Sequence, residues 1–173
     1  MPFTPYHLGP ALLAGVALFP FIDFVAILVA SVILDIEPML VLFLNLSGPL
    51  HGVSHTYLAA TLVSFAITGV FWLFRNELTA IASLFGVVQE PRKLGLLAAS
   101  LFGTYSHVFL DSFLYAEMNP FFPVLGNPFL GLITSAAIYQ FCLYCGAIGA
   151  LLYIIRFCVL KRAPRGGRID PFN

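Results

Sequence analysis

Residues 54–74 read SHTYLAATLVSFAITGVFWLF and stop at Arg75. No Asp, Glu, Lys or Arg interrupts the run. About 20 apolar residues, each rising ~1.5 Å in a helix, cross the hydrocarbon core of a bilayer. The apolar residues are continuous and do not alternate, which excludes the two-residue rhythm of a membrane barrel strand. The run therefore predicts a transmembrane helix, and the rest of the chain follows from it.

Of 173 residues, 60% are hydrophobic and 9% are charged, with a mean hydropathy of +0.97. A soluble domain carries about 25% charged residues, so this chain has too little polar surface to coat a water-facing globule. In lipid the backbone must close its own hydrogen bonds, and helices do this. The expected fold is an all-α integral membrane protein, a bundle of about five transmembrane helices. The predicted spans are Tyr6–Phe19, Phe21–Glu37 (stopped by Pro38), Ser54–Phe74, a fourth that begins after Arg92 and Lys93 and runs to Leu114, and Phe129–Leu160. Met39–Val53 reads as a non-helical apolar stretch with turn formers Asn45, Ser47, Gly48 and Pro49. Asn76–Gln89 reads as a weakly amphipathic connector on the membrane surface. Residues 1–160 form one transmembrane domain in this reading, and 161–173 a basic tail expected to be disordered.

Charge sets the orientation. All eight basic residues, Arg75, Arg92, Lys93, Arg156, Lys161, Arg162, Arg165 and Arg168, fall on one side of these spans. The positive-inside rule makes that side cytoplasmic, with the C-terminus inside and, after five crossings, the N-terminus outside. The zero net charge and the lack of a basic stripe interleaved with aromatics exclude a nucleic-acid partner. Cys142, Cys145 and Cys158 lie in one apolar run and read as small hydrophobes.

With that topology all four histidines land on the outer side, though none was used to set it. His7 opens the first span; Asp35 and Glu37 close the second. His51 and His55 precede and open the third, and His107 and Asp111 end the fourth. An offset of four on a helix is ~40° of rotation and ~6 Å of rise, so His107 and Asp111 share a face. Asp35 and Glu37, two apart, point away from each other in a regular helix; an extended turn lets both converge, or one binds metal while the other acts as base.

A charged side chain deep in a bilayer costs ~2.5–3.5 kcal/mol on insertion scales. Carboxylates and imidazoles gathered without Lys or Arg call for a divalent cation. The expected ligands are His7, Asp35, His51, His55, His107 and Asp111, with Glu37 as general base and Glu117 and Asn119 as outer-sphere or substrate groups. Mixed imidazole and carboxylate donors suit Zn first, with Mn, Fe or Ni open, as one or two ions. Against this stands the plain reading of any single histidine near a helix end as an interfacial residue. Asp23, Glu77, Glu90 and Asp170 read as solvated or helix-end charges, and Trp72 as part of an interfacial belt.

Three segments carry a family resemblance: Asp35-Ile-Glu37-Pro38, His51-Gly-Val-Ser-His55-Thr56, and Ser106-His107-Val-Phe-Leu-Asp111-Ser112. In their order and spacing they resemble the membrane-bound, metal-dependent hydrolases related to the LexA-binding, inner-membrane-associated group. The opening Thr4-Pro5-Tyr6-His7-Leu8-Gly9 and the segment from Glu117 to Pro128 resemble the archaeal-type members. The resemblance implies metal-dependent hydrolysis. Two departures stand out. Many members carry His-Arg-Gly-x-Thr-His where this chain has an offset of four and no Arg, and the common Asp-x-Asp is Asp35-Ile36-Glu37 here. Without the Arg a clamp for phosphate is missing, which weighs against a phosphoester substrate.

The leading expectation is a metallohydrolase of the cell membrane, acting at the outer boundary on a lipid or lipid-linked ester. The alternatives are a metal-ion or proton transporter, whose site belongs near the bilayer midplane, and a structural metal, which would favour cysteine and a closed shell. Oligomeric state is not legible.

Overall fold

A computed structural model describes residues 5–156 of the chain, and all regular structure in it is helical. The helices are α1 Leu8–Ala17, α2 Phe24–Ala30, α3 Ile36–Phe43, α4 Tyr57–Leu73, α5 Arg75–Leu84, α6 Lys93–Ser112 and α7 Ser135–Ile154. Short 3-10 turns at Pro5–His7, Ile33–Asp35 and Val53–His55 lead into α1, α3 and α4.

Local chemistry explains several boundaries. Asp23 caps α2 by accepting from the Ala26 N–H at 2.8 Å, and Thr56 caps α4 by accepting from Ala59 at 3.1 Å. Pro38 falls in the first turn of α3, where a backbone N–H would have no intrahelical partner. The second apolar run therefore does not stop at Pro38, as the sequence suggests, but bends through Ile33–Asp35 and continues to Phe43. The stretch 39–53 is accordingly helical over its first residues and irregular only after them.

Five helical legs alternate in direction, but they are not five equivalent spans. Among the described residues, only Phe24–Phe43 and Ser135–Ile154 are long and apolar enough to cross a membrane, with a third if α4 and α5, bent by 83° at their junction, count as one. The expectation of about five is corrected for identifiable reasons. With 10 residues α1 reaches only ~15 Å. α7 begins at Ser135, not Phe129, because the preceding residues fold as turns. α6 is the inner helix, packed against α2 and α4, and its polar residues Ser100, Thr104, His107, Asp111 and Ser112 are buried by protein. The end of the predicted fifth span and the basic tail lie outside the described residues.

Close approach of the legs depends on small residues. A Cβ on Gly103 would meet the Ile27 carbonyl at 2.8 Å and the Ser31 nitrogen at 2.9 Å; one on Gly9 would collide with the Cys142 carbonyl. Glycine at these points lets α6 lie on α2, and α1 on α7, as small residues do in membrane helix pairs. Between α4 and α6, hydroxyls pair instead: Ser64 with Thr104 at 2.8 Å and Thr61 with Tyr105 at 2.8 Å.

The alternation leaves two polar ends. One holds His7, Asp35, His55 and Asp111; the other holds Asp23, Trp72, Arg75, Gln89 and Lys93. The outward faces between them are strongly apolar, with Phe21, Leu73, Leu94 and Phe43 among the most exposed side chains.

Candidate metal centre

Gly103 sits one turn before His107, so the contact that brings α6 onto α2 also brings His107 to the end of α2. There its Nδ1 lies 2.7 Å from the Ser31 carbonyl oxygen. Asp111, one turn further along α6, faces the same way. Asp35 enters from the 3-10 turn after α2, and His55 from the 3-10 turn before α4. The ligand atoms of Asp35, His55, His107 and Asp111 all lie within 4.8 Å of one another, and all four side chains are buried.

The hydrogen-bond partners define the tautomers. A carbonyl oxygen can only accept, so His107 Nδ1 carries a proton, and the neutral ring then presents a lone pair at Nε2. His55 Nδ1 lies 3.3 Å from Glu37 Oε2 and 3.0 Å from Ser54 Oγ, which likewise places its proton on Nδ1 and a lone pair on Nε2. The two bare Nε2 atoms face each other at 3.3 Å. Asp111 Oδ2 is 3.1 Å from His107 Nε2 and 3.8 Å from His55 Nε2, and Asp35 Oδ1 is 3.6 Å from His107 Nε2. Both oxygens of Asp111, together with Asp35 Oδ1, are buried without a hydrogen bond. Four acceptor atoms thus converge with no donor among them, which is costly unless a cation fills the centre. A tetrahedral ion with ~2.0–2.1 Å bonds sets neighbouring ligand atoms about 3.3–3.4 Å apart; the close pairs here span 3.1–3.8 Å around that value. The quartet can hold a metal ion; its donor set does not select the element.

The other expected site residues take up different positions. His7 Nε2 lies 3.1 Å from Asp111 Oδ1, and its ring stacks on that of His107 at 4.0 Å. His51 stands outside the quartet: its Nδ1 donates to Glu117 Oε1 at 3.0 Å, its ring stacks on Tyr115 at 3.6 Å, and its edge meets His55 at 4.8 Å. Burial pushes the Glu117 carboxyl up, but the hydrogen bonds from His51 and from its own backbone outweigh this and hold it below the ordinary glutamate range. Glu37 sits on the Nδ1 side of His55, away from the converging Nε2 atoms, and accepts from the Ser54 backbone N–H at 3.1 Å and from the Ser54 hydroxyl. Asp35 lies by His107 Nε2 and Glu37 by His55 Nδ1, so the two carboxylates address different imidazoles and do not converge. Asn119 Oδ1 accepts from the Gly126 N–H at 2.7 Å and closes the loop, where Gly126 has φ +106°. Asn127 closes the end of α6, donating to the carbonyls of Ser112 and Tyr115 at 2.8 and 3.1 Å.

Sequence reasoning passed over three contributors. Ser31 acts through a backbone carbonyl, which has no sequence signature. Ser54 had a signal, its place between His51 and His55. Tyr115 follows Asp111 by one helical turn, a spacing that marks the same face.

The YdjM inner membrane protein family model matches residues 2–163. The chain belongs to the YdjM inner membrane protein family. That match is consistent with the LexA-related inner-membrane resemblance, and with the apolar helices it makes this YdjM-family chain a membrane protein. No curated protein and no solved structure matches the chain.

Proposed function

We propose that this protein is a metal-dependent hydrolase of the cell membrane, with one divalent cation held by Asp35, His55, His107 and Asp111. The observation that carries the reading is the convergence of four buried lone-pair atoms, each histidine fixed in its ligand tautomer from behind. A divalent ion supplies Lewis acidity there, polarising an acyl or phosphoryl oxygen and acidifying water. Zinc suits these donors best, with manganese, iron or nickel as further candidates.

The remaining residues take roles from their positions. Glu37 positions His55 and is not the base, since it lies at the far edge of the ring. The proton-accepting role passes to His51. Glu117 holds its Nδ1 proton, which leaves Nε2 as the lone pair, and the ring lies against His55. Arg75, Arg92, Lys93 and Arg156 mark the opposite end as cytoplasmic, so the site faces the extracytoplasmic side with the N-terminus outside and the C-terminus inside.

A lipid or lipid-linked ester is the substrate class. The segments that carry His51 and Glu117 run into exposed apolar stretches, with Leu44 and Leu46 at 62% and 52% exposure before His51, and Val124 and Leu125 at 69% and 77% after Glu117. Such a rim admits an amphiphile from the bilayer. Within the family, the segments at 4–9 and 117–128 favour the archaeal-type members. A transport role is disfavoured because the cluster closes one end of the helical array, whereas transporter sites lie midway.

The test is elemental mass spectrometry of detergent-purified protein, wild type beside His107→Ala and His55→Ala. A stoichiometric transition metal lost in both variants is expected. Wild-type protein that stays metal-free after reconstitution with Zn, Mn, Fe and Ni would overturn the reading. The substrate class is tested with phospholipid vesicles: hydrolysed ester is expected from the wild type and none from His107→Ala.

A further inference from the structure

We propose that Asp111 is a bridging carboxylate and that His7 holds a second divalent cation beside the one in the quartet. This rests on the metal reading of the quartet and extends it by one ion.

The two oxygens of Asp111 address different imidazoles. Oδ2 faces His107 and His55, whereas Oδ1 faces His7 Nε2 at 3.1 Å. The carboxylate is 1% exposed, so bulk water does not satisfy either oxygen. The simplest partner for Oδ1 would be an N–H of His7, yet Oδ1 has no hydrogen bond. The ring nitrogen is close enough but is not aimed at the oxygen, as a hydrogen bond requires. Closeness without alignment is the geometry of two ligands on adjacent vertices of one coordination sphere. Each then points at the ion, and the two stand about 3.3 Å apart.

Ring stacking gives the spacing. His7 and His107 lie face to face with centroids 4.0 Å apart and planes inclined by 26°. Two nearly parallel imidazoles, each with Nε2 close to a different oxygen of one carboxylate but not aimed at it, place their ions side by side at about the ring separation. Carboxylate-bridged two-metal sites hold their ions ~3.5–4 Å apart.

The two positions are not equally built. His55 and His107 are each fixed from behind through Nδ1, by Glu37 with Ser54 and by the Ser31 carbonyl. Among the described residues His7 Nδ1 is buried and has no partner. None of these residues locks its tautomer, and outer partners of this kind are worth ~10–100-fold in metal affinity. The His7 position is therefore the weaker one, filled second, and it keeps open vertices where an oxygen of the substrate can enter. His7 also couples the site to packing. Its neighbour Tyr6 lies 5.0 Å from Tyr139 of α7, and Gly9 lets α1 seat on the same helix, so the second ion depends on that seam.

The experiment uses full-length protein in detergent, stripped with a chelator and titrated with Mn(II). Bound metal is counted by elemental mass spectrometry, and spin coupling is read by electron paramagnetic resonance. The wild type is expected to bind two equivalents, the second ~10–100-fold more weakly, with the isolated-ion signal falling as the pair forms. His7→Ala and His7→Gln are expected to bind one equivalent that stays uncoupled; the second variant covers a packing failure in the first. One equivalent in the wild type, or two retained in both His7 variants, would overturn the second ion and leave the quartet standing. No bound metal in the wild type would overturn the quartet and the second ion together.

Discussion

The two ends of the helical array are equally polar and are completed differently. At the basic end the chain supplies its own partners. Gln89 donates to the carbonyls of Phe19 and Ile22 and accepts from the Phe24 N–H, and Asp23 caps α2. The cations there lie on aromatic faces: Arg75 and Lys93 lie over Trp72 at 5.0 and 4.9 Å, and Arg156 over Phe19 at 4.4 Å. At the histidine end the outer atoms of His51, His55 and His107 are equally well held, but among the described residues His7 Nδ1 and the innermost carboxylate oxygens have none of these arrangements. Buried polar groups in native proteins are nearly always paired. The contrast marks the carboxylate oxygens of Asp35 and Asp111 as the place where a partner of positive charge fits.

The largest expected effect comes from removing that negative centre. Saturating metal should stabilise the wild type, by about 2.7 kcal/mol at a hundredfold excess over Kd. Asp111→Asn should gain nothing from metal and should bind none stoichiometrically. Thermal unfolding in detergent with and without chelator reads both. A wild type that melts at the same temperature either way would erase the difference between the two ends.

Glu37→Gln asks how far the support behind the ligands matters. A positioning role predicts metal binding weakened by ~10–100-fold, because the carboxylate that fixes the His55 proton is lost. Competition with a fluorescent chelator measures it. Normal affinity with hydrolysis abolished would instead return Glu37 to the role of base.

Much of this contrast was legible in the sequence, because charge placement and helix offsets are one-dimensional. The basic residues sort to one side of the spans, and His107 with Asp111 share a face by spacing alone. What was not legible depends on bends and on loops. Whether Asp35 and Glu37 converge or diverge is decided by the 3-10 turn at Ile33–Asp35, and the apolar run does not announce that break. His51 and His55 have the same offset as His107 and Asp111, but Gly52 precedes a 3-10 turn, and His51 meets the edge of His55 from outside the quartet. The span count failed at α6 because a helix buried among helices can carry polar residues that a lipid-facing helix would not.

At the basic end, Gln89→Leu should cost stability without touching the metal. Two carbonyls and one N–H lose their partner where the connector crosses the turn between α1 and α2. About 1–2 kcal/mol is expected, since turn carbonyls near a helix end recover part of the loss from water. Chemical unfolding in detergent, with metal content measured on the same sample, separates the two properties. A fall in bound metal would mean that the ends are coupled along α2.

Trp72→Leu is the mildest change, and it asks whether the basic end owes anything to its aromatic. The indole has Arg75 on one approach and Lys93 on another, so one ring serves the end of α4 and the start of α6. Cation–π contacts at exposed positions are worth ~0.5–1 kcal/mol. Arg75 keeps a second anchor, donating to the Trp72 carbonyl at 3.1 Å, which the substitution leaves in place. Lys93 loses its contact with the indole, so most of the effect should arise at the first turn of α6. A combined Trp72→Leu and Lys93→Gln protein should then be little less stable than Trp72→Leu alone. If the two losses add in full, the aromatic and the cation act separately, and charge at this end serves orientation in the membrane and not the joining of helices.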